Sequence, residues 1–322
     1  MLNDKAKCGF VTLVGRPNVG KSSILNCLVN DKVSIISSKP QTTRQQIQGV
    51  KTLDEFHQIV YVDTPGIHQQ ARSALNRFMN KTAQAALHDV DLILYVVEAL
   101  KWTDEDNQVL ELIKKINQPT ILVVNKIDKI KDKSKLLAYL QMLSEKYTFK
   151  DIIPVSALKL NQIDVLEKQI IPFLPESSFF YQAHEKTNQS FEFHVAELIR
   201  EQLMHQLNQE LPYSVAVQIE KITDLNKEET ATDNQTSEEN FNQQILTNKR
   251  LQIHALIWVE KPSQKIIIIG EKGERLKSIG RQARLAMNNK FNCRVDLRLW
   301  VKVKSGWSDS TNLLSQMGYY AE

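Results

Sequence analysis

The chain has 322 residues, 24% of them charged and 42% hydrophobic, with a mean hydropathy of −0.33. That balance is ordinary for a globular protein, and no apolar run approaches the roughly 20 residues of a membrane-spanning helix. Cys8, Cys27 and Cys293 form no C-x-x-C pair, so neither a disulfide framework nor a zinc knuckle is indicated. The opening MLNDKAKCGFVTLVG lacks the long apolar stretch of a secretory signal, and a reducing, cytoplasmic setting is expected. The net charge of +4 is uneven: from Leu246 onward 14 Lys and Arg face 6 Asp and Glu, giving +8 there and −4 before it. Such a gradient suits a phosphate-binding C-terminal domain, although a solvated charged face has the same composition.

In chain order, Phe10–Val14 reads as a strand, followed by a glycine loop and a helical Ser22–Asn30. Gln46–Thr52 and Phe56–Val62 read as a hairpin turning at Leu53-Asp54-Glu55, which makes one sheet edge antiparallel. Leu92–Val97, Ile121–Val124 and Ile152–Val155 are further buried-strand runs. Between the runs, Arg72–Leu87, Thr103–Ile116 and Asp132–Tyr147 carry apolar residues at helical spacing. The alternation predicts a mostly parallel six-stranded sheet with helices on both faces, ending near Pro172. A linker is expected over 173–188 and a second domain over 189–322. That domain starts with an amphipathic helix over Gln189–Asn208 and a strand over Tyr213–Ile219. Asp224–Asn240 holds 6 acids, 1 Lys and no aromatic residue, and reads as an exposed loop. Arg250–Glu260 resumes the strand pattern.

Gly15-Arg16-Pro17-Asn18-Val19-Gly20-Lys21-Ser22 fits G-x-x-x-x-G-K-S between a strand and a helix, with Ser23 next in line. Glycines let N–H groups curl toward a phosphate, and the helix start adds its positive end. Lys21 would sit between the β- and γ-phosphates, and the Ser22 hydroxyl would serve Mg²⁺. Asp63-Thr64-Pro65-Gly66 follows Ile59–Val62, so Asp63 can hold the metal and Gly66 permits close backbone approach to the γ-phosphate. Asn125-Lys126-Ile127-Asp128 follows the run Ile121–Val124. The carboxylate of Asp128 can accept from N1–H and the 2-amino group of guanine, whereas adenine offers an acceptor at N1 and no amino group. Lys126 would lie along the base, and Ser156-Ala157-Leu158 would offer a backbone N–H to guanine O6.

Together these motifs resemble the Ras-like G domain over about residues 5–172. Lys39-Pro40-Gln41-Thr42-Thr43-Arg44 then occupies the place of the first switch. The resemblance implies Thr43 as a second Mg²⁺ hydroxyl, with Thr42 as the alternative. It also implies a catalytic set of Lys21, Thr43, Asn18 and Gly66. Ile67 stands where Ras-like proteins carry a water-positioning glutamine, so slow intrinsic hydrolysis is expected. Asn18 resembles the asparagine by which relatives hold a potassium ion near the phosphates; an ordinary loop asparagine is the other reading.

Ile266-Ile267-Ile268-Ile269-Gly270-Glu271-Lys272-Gly273 ends in G-x-x-G and leads into a helix bearing Arg275, Lys277, Arg281 and Arg284. KH domains use such a loop to clamp about four nucleotides. Propensity makes 265–269 a strand, but the KH pattern implies a short helix there, and the pattern is followed. The order helix 189–208, strand 213–222, strand 249–260, short helix, loop, helix 274–290, strand 293–303 is that of an α+β type II KH domain.

With the tail Trp300-Val301-Lys302-Val303-Lys304-Ser305-Gly306-Trp307, the chain resembles the Era family of bacterial GTPases over nearly its whole length. The resemblance implies binding of the 3′-terminal region of 16S rRNA and a role in 30S subunit assembly. It further implies a monomer, Mg²⁺ with GTP or GDP, and peripheral association with the cytoplasmic face of the inner membrane. The competing readings are an RNA scaffold that hydrolyses little GTP and an RNA-modification GTPase.

Overall fold

The computed structural model describes residues 5–66, 73–207, 211–226, 249–317 and Tyr319. They form two compact units, one reaching Asn188 and the other starting at Gln189.

In the first unit, β1 (Lys7–Val14), β2 (Ile47–Thr52), β3 (His57–Asp63), β4 (Leu92–Glu98), β5 (Thr120–Asn125) and β6 (Asp151–Pro154) form a six-stranded sheet in the order β2-β3-β1-β4-β5-β6. β2 is antiparallel to β3 and every other pairing is parallel. β4 reads LILYVVE and is buried on both faces from Leu92 to Val97, which a central strand covered by helices requires. The helices are α1 (Lys21–Val29), α2 (Ala74–Ala85), α3 (Asp104–Lys114), α4 (Lys133–Ser144) and α5 (Ile163–Ile170). Helices α2, α3 and α4 start where side-chain caps appear. Ser73 accepts from Asn76 N–H, Asp132 accepts from Ser134 N–H, and Asp106 reaches back to the Thr103 N–H at 2.9 Å.

Residues 175–187, expected to be a linker, are hydrogen-bonded along this unit. The Pro175 carbonyl accepts from Cys8 N–H, and Val50 N–H donates to the Lys186 carbonyl. Gln58 is fully buried; its Oε1 accepts from the Phe180 and Tyr181 N–H groups at 3.0 Å, and its Nε2 donates to the Tyr181 carbonyl at 2.8 Å. One amide side chain thus satisfies three backbone groups of the passing chain. The Thr187 hydroxyl donates to the Gln48 carbonyl at 2.7 Å.

The second unit holds α6 (Phe191–Gln206), β7 (Val215–Asp224), β8 (Arg250–Val259), α7 (Pro262–Ile269), α8 (Glu274–Phe291), β9 (Arg294–Val303) and α9 (Thr311–Gln316). Its sheet runs β7-β8-β9, with β7–β8 antiparallel and β8–β9 parallel. Leu251, Ile253, Ala255 and Ile257 of β8 share a core with Leu198 and Leu203 of α6 and with Ile279, Ala283 and Met287 of α8. The isoleucine run is helical, against its β propensity. Pro262 starts α7, the Gln264 side chain accepts from the Glu260 and Lys261 N–H groups, and Ile268 alone of its residues is fully buried. The acidic stretch after Asn226 lies outside the described residues up to Lys249.

Candidate nucleotide and nucleic-acid sites

The loop between β1 and α1 curls over its own lysine. Lys21 Nζ donates to the carbonyls of Gly15 at 3.0 Å and Arg16 at 3.1 Å, and burial pulls its ammonium down to about 8. Those carbonyls hold the cation where the α1 N-terminus opens. Ser22 Oγ lies 2.7 Å from Asp63 Oδ2 and 2.9 Å from Thr43 Oγ1. Thr43 Oγ1 reaches the same carboxylate oxygen at 3.2 Å. The Thr42 hydroxyl instead donates to the Lys39 carbonyl at 2.6 Å. Thr43 is therefore the threonine that joins Ser22 and Asp63.

Asp63 is fully buried, and burial raises its pKa against the opposing pull of Lys21 and the hydroxyls of Ser22, Ser34 and Thr43. Its Oδ1 has no hydrogen-bond partner. Three hydroxyls around a buried carboxylate with an unmatched oxygen are a hard donor set, and they fit a magnesium ion. Gly66 packs on the phosphate loop so tightly that a Cβ there would come within 2.9 Å of the Pro17 nitrogen. Thr64 sends its hydroxyl inward to the Leu13 carbonyl at 2.8 Å, so it holds the turn. Ile67 lies outside the described residues.

The Arg16 side chain faces away from the phosphate site. Its Nε donates to Asp106 Oδ2 at 3.1 Å and its terminal nitrogen lies 3.3 Å from Glu98 Oε2. The same Glu98 oxygen meets Lys126 Nζ at 3.2 Å, and Lys126 also donates to the Asn18 carbonyl at 2.6 Å. Burial pushes the Glu98 pKa up, but hydrogen bonds and charge from Lys126, with Lys129 and Arg16, bring it below the ordinary value. Asn18 and Lys126 both adopt left-handed backbone, with φ of 63° and 68°. Asn18, Ser22, Thr43 and Gly66 line one cavity.

A second cavity, of about 710 Å³, opens between α1 and the loops after β5 and β6. Asn125 is buried beside it; its Nδ2 donates to the Val19 carbonyl at 2.9 Å and its Oδ1 accepts from Ala157 N–H at 3.2 Å. It ties the phosphate loop to the Ser156-Ala157-Leu158 turn. Asp128 is exposed at the cavity, with Oδ1 accepting from the Ser156 hydroxyl. The Ser156 N–H closes its own turn on the Asn161 carbonyl. A donor to a base carbonyl is thus the shared N–H of Ala157 or that of Leu158, and Ser156 orients the acid instead. Ile127 starts a single turn at Asp128, with its N–H on the Val155 carbonyl. Asn30, Lys32 and Leu160 also line the cavity. Sequence reasoning missed them, as it missed Ser34, which donates to Asp63 at 3.2 Å. None belongs to a spaced motif.

In the second unit, Gly270 and Gly273 take φ of 71° and 79°, between α7 and α8. At Gly270 a Cβ would come within 2.8 Å of Arg275, so the loop requires glycine there on two counts. Glu271 and Lys272 are exposed at the tip, and Lys277, Arg281 and Arg284 are exposed along α8. Arg275 instead donates to the Ile267 carbonyl at 2.7 Å and braces the loop.

Residues 10–126 match the family described as 50S ribosome-binding GTPase, and residues 210–308 match the KH domain. GTPase Era of Marinobacter nauticus is 48% identical, over 98% of this chain and 96% of that protein. GTPase Era of Pseudomonas aeruginosa is 46% identical, over 98% and 95%. This chain belongs to the Era family. Era-family proteins of solved structure share the architecture. A variant of Aquifex aeolicus Era bound to GDP and AlF₄⁻ superposes with a TM-score of 0.88 at 36% identity, covering 98% of this chain and all of that one. Era in complex with MgGDPNP and nucleotides 1506–1542 of 16S ribosomal RNA gives the same score, identity and coverage. As an Era-family member the chain is a GTPase with a Ras-like G domain and a KH domain.

Proposed function

We propose that this Era-family GTPase binds the 3′-terminal region of 16S rRNA through its KH unit and acts in 30S subunit assembly, with GTP hydrolysis as the switch. The convergence of Thr43, Ser22 and Asp63 supports the switch most directly. Thr43 belongs to the loop after α1, so whatever occupies the phosphate site decides whether that loop is held. A relative bound to a magnesium nucleotide and to 16S rRNA nucleotides supports the ligands.

Lys21 holds a cation at the start of α1, where the β- and γ-phosphates would lie. Asn125 fixes the distance between phosphate loop and base pocket, and Asp128 selects guanine. Ser22, Thr43 and Asp63 would hold Mg²⁺, which supplies charge neutralisation at the phosphates when bound. Gly66 offers its N–H to the γ-phosphate. Ile67 has no polar side chain, so the attacking water is positioned by other groups. Asn18 lines the same cavity and would bind a potassium ion, so GTP turnover should rise when Na⁺ is replaced by K⁺ at equal ionic strength. The reading includes a monomer in peripheral contact with the inner membrane; no helix among the described residues is long and apolar enough to cross one.

GTP turnover with and without RNA of the 16S 3′ region tests the proposal. A several-fold change on adding RNA is expected. Equal rates would favour a scaffold that merely binds nucleotide.

A further inference from the structure

The KH unit has a second basic surface that the G-x-x-G loop does not use. Odd-numbered residues of β8 and β9 face the helices: Ile253, Ile257, Val295 and Val301 are in the core. Even-numbered residues therefore face the other side of the sheet. On β9 that row reads Arg294, Asp296, Arg298, Trp300 and Lys302, spanning roughly 26 Å at 3.3 Å per residue.

Three features of this face are unusual for a surface that meets only water. Arg250 and Arg294 are directly opposite each other in the parallel register, both exposed, and neither is in an ion pair with a described residue. Like charges facing across a ladder repel, and a polyanion would relieve that cost. Trp300 is 42% exposed beside His254, whose ring meets it edge-on at 5.2 Å. Third, Trp258 lies under two ammonium groups, Lys304 at 5.3 Å and Lys302 at 6.0 Å from its ring. Among the described residues the face is not self-neutralised: Asp296 meets Arg298 at 3.6 Å and Glu220 meets Lys302 at 3.7 Å, which leaves Arg250, Arg294 and Lys304 in excess.

An exposed aromatic ring set between cations is the chemistry of single-stranded nucleic-acid platforms, where bases stack and phosphates pair with the charges. A G-x-x-G loop clamps about four nucleotides, so a longer strand must find its remaining contacts elsewhere. We infer that the outer face of the β7-β8-β9 sheet, centred on Arg294, Arg298 and Trp300, is a second binding site for single-stranded RNA. The inference rests on the reading of this unit as RNA-binding and extends it to a separate surface.

The test uses the full chain and two RNAs: an oligonucleotide of about six nucleotides, which the loop alone can hold, and one matching nucleotides 1506–1542 of the relative's complex. For Arg294→Gln/Arg298→Gln/Trp300→Ala, affinity for the long RNA should fall at least about tenfold. The slope of log affinity against log salt should shrink by about 1.4, for two lost phosphate contacts on a single strand. Affinity for the short oligonucleotide, thermal midpoint and RNA-free GTP turnover should stay as in the unaltered protein. Restoring Trp300 as phenylalanine should recover part of the loss, because a ring can still stack. Glu271→Asp/Lys272→Asp should weaken both RNAs; if it weakens neither, the G-x-x-G reading fails independently of this one. The inference is overturned if the triple variant binds the long RNA unchanged or loses both RNAs equally. It is also overturned if what the variant loses is binding to phosphatidylglycerol vesicles while both RNA affinities hold.

Discussion

The two binding regions of this molecule are built in opposite ways. In the nucleotide unit the recognition groups are bound to one another: Lys21 to two carbonyls, Asn125 to the phosphate loop and the Ala157 turn, Asp128 to Ser156. In the KH unit Lys272, Lys277, Arg281 and Arg284 stand exposed, with no such cross-links among the described residues beyond the brace of Arg275. The first arrangement selects by geometry, because an ill-fitting ligand leaves buried groups unpaired. The second attracts by charge and selects through the bases it lets pass. Damage to the first should be large and insensitive to salt; damage to the second should be graded and salt-dependent.

The contrast breaks most sharply at Lys21. Lys21→Ala should cost about 3 kcal/mol or more in triphosphate binding, roughly a hundredfold, read by nucleotide titration. Next is Asp128→Asn, expected to lose about 2–4 kcal/mol of guanine-nucleotide affinity; equal GTP binding by variant and parent would remove the acid from base selection. Glu271→Asp with Lys272→Asp should weaken RNA binding steeply at low salt and leave GTP binding intact. If the loss persisted undiminished at high salt, charge would not be the cause. The smallest effect concerns Glu98. Its pKa is below the ordinary value in the folded protein, so its ion pairs stabilise the fold above that ordinary value. That stabilisation is lost as pH falls through the lowered folded value. Glu98→Gln should cost about 1 kcal/mol at neutral pH and remove this part of the acid slope, read by denaturant unfolding at several pH values.

The phosphate loop, the Asp63 turn and Asn125 to Asp128 were legible because their chemistry is written in contiguous residues flanked by apolar strands. The inward turn of Arg16 was not, since its partners Glu98 and Asp106 are 82 and 90 residues away. Nor could sequence show that a buried Gln58 would fasten residues 180 and 181; glutamine has no pattern that marks it as a clamp. Local propensity failed at Ile266–Ile269. There a proline start, a glutamine cap and a glycine stop outweighed four β-branched residues. Thr42 and Thr43 could be separated only by seeing which hydroxyl reached Asp63.

Glu98 has a kinetic consequence for how nucleotide is captured. Lys21 lines the phosphate cavity, Lys32, Lys126 and Lys129 line the base cavity, and Arg16 meets Glu98 behind them. Arg16 and Lys126 share one carboxylate oxygen of Glu98, Lys129 meets the other, and Arg16 has Asp106 besides. Seen from solution, the fields around Glu98 largely cancel, which leaves Lys21 as the attraction inside the phosphate cavity. Long-range steering is therefore weak here, and nucleotide association should change little with ionic strength. The exposed cations of α8 should instead draw RNA in from a distance, so the two ligands of one chain would arrive under different laws of encounter.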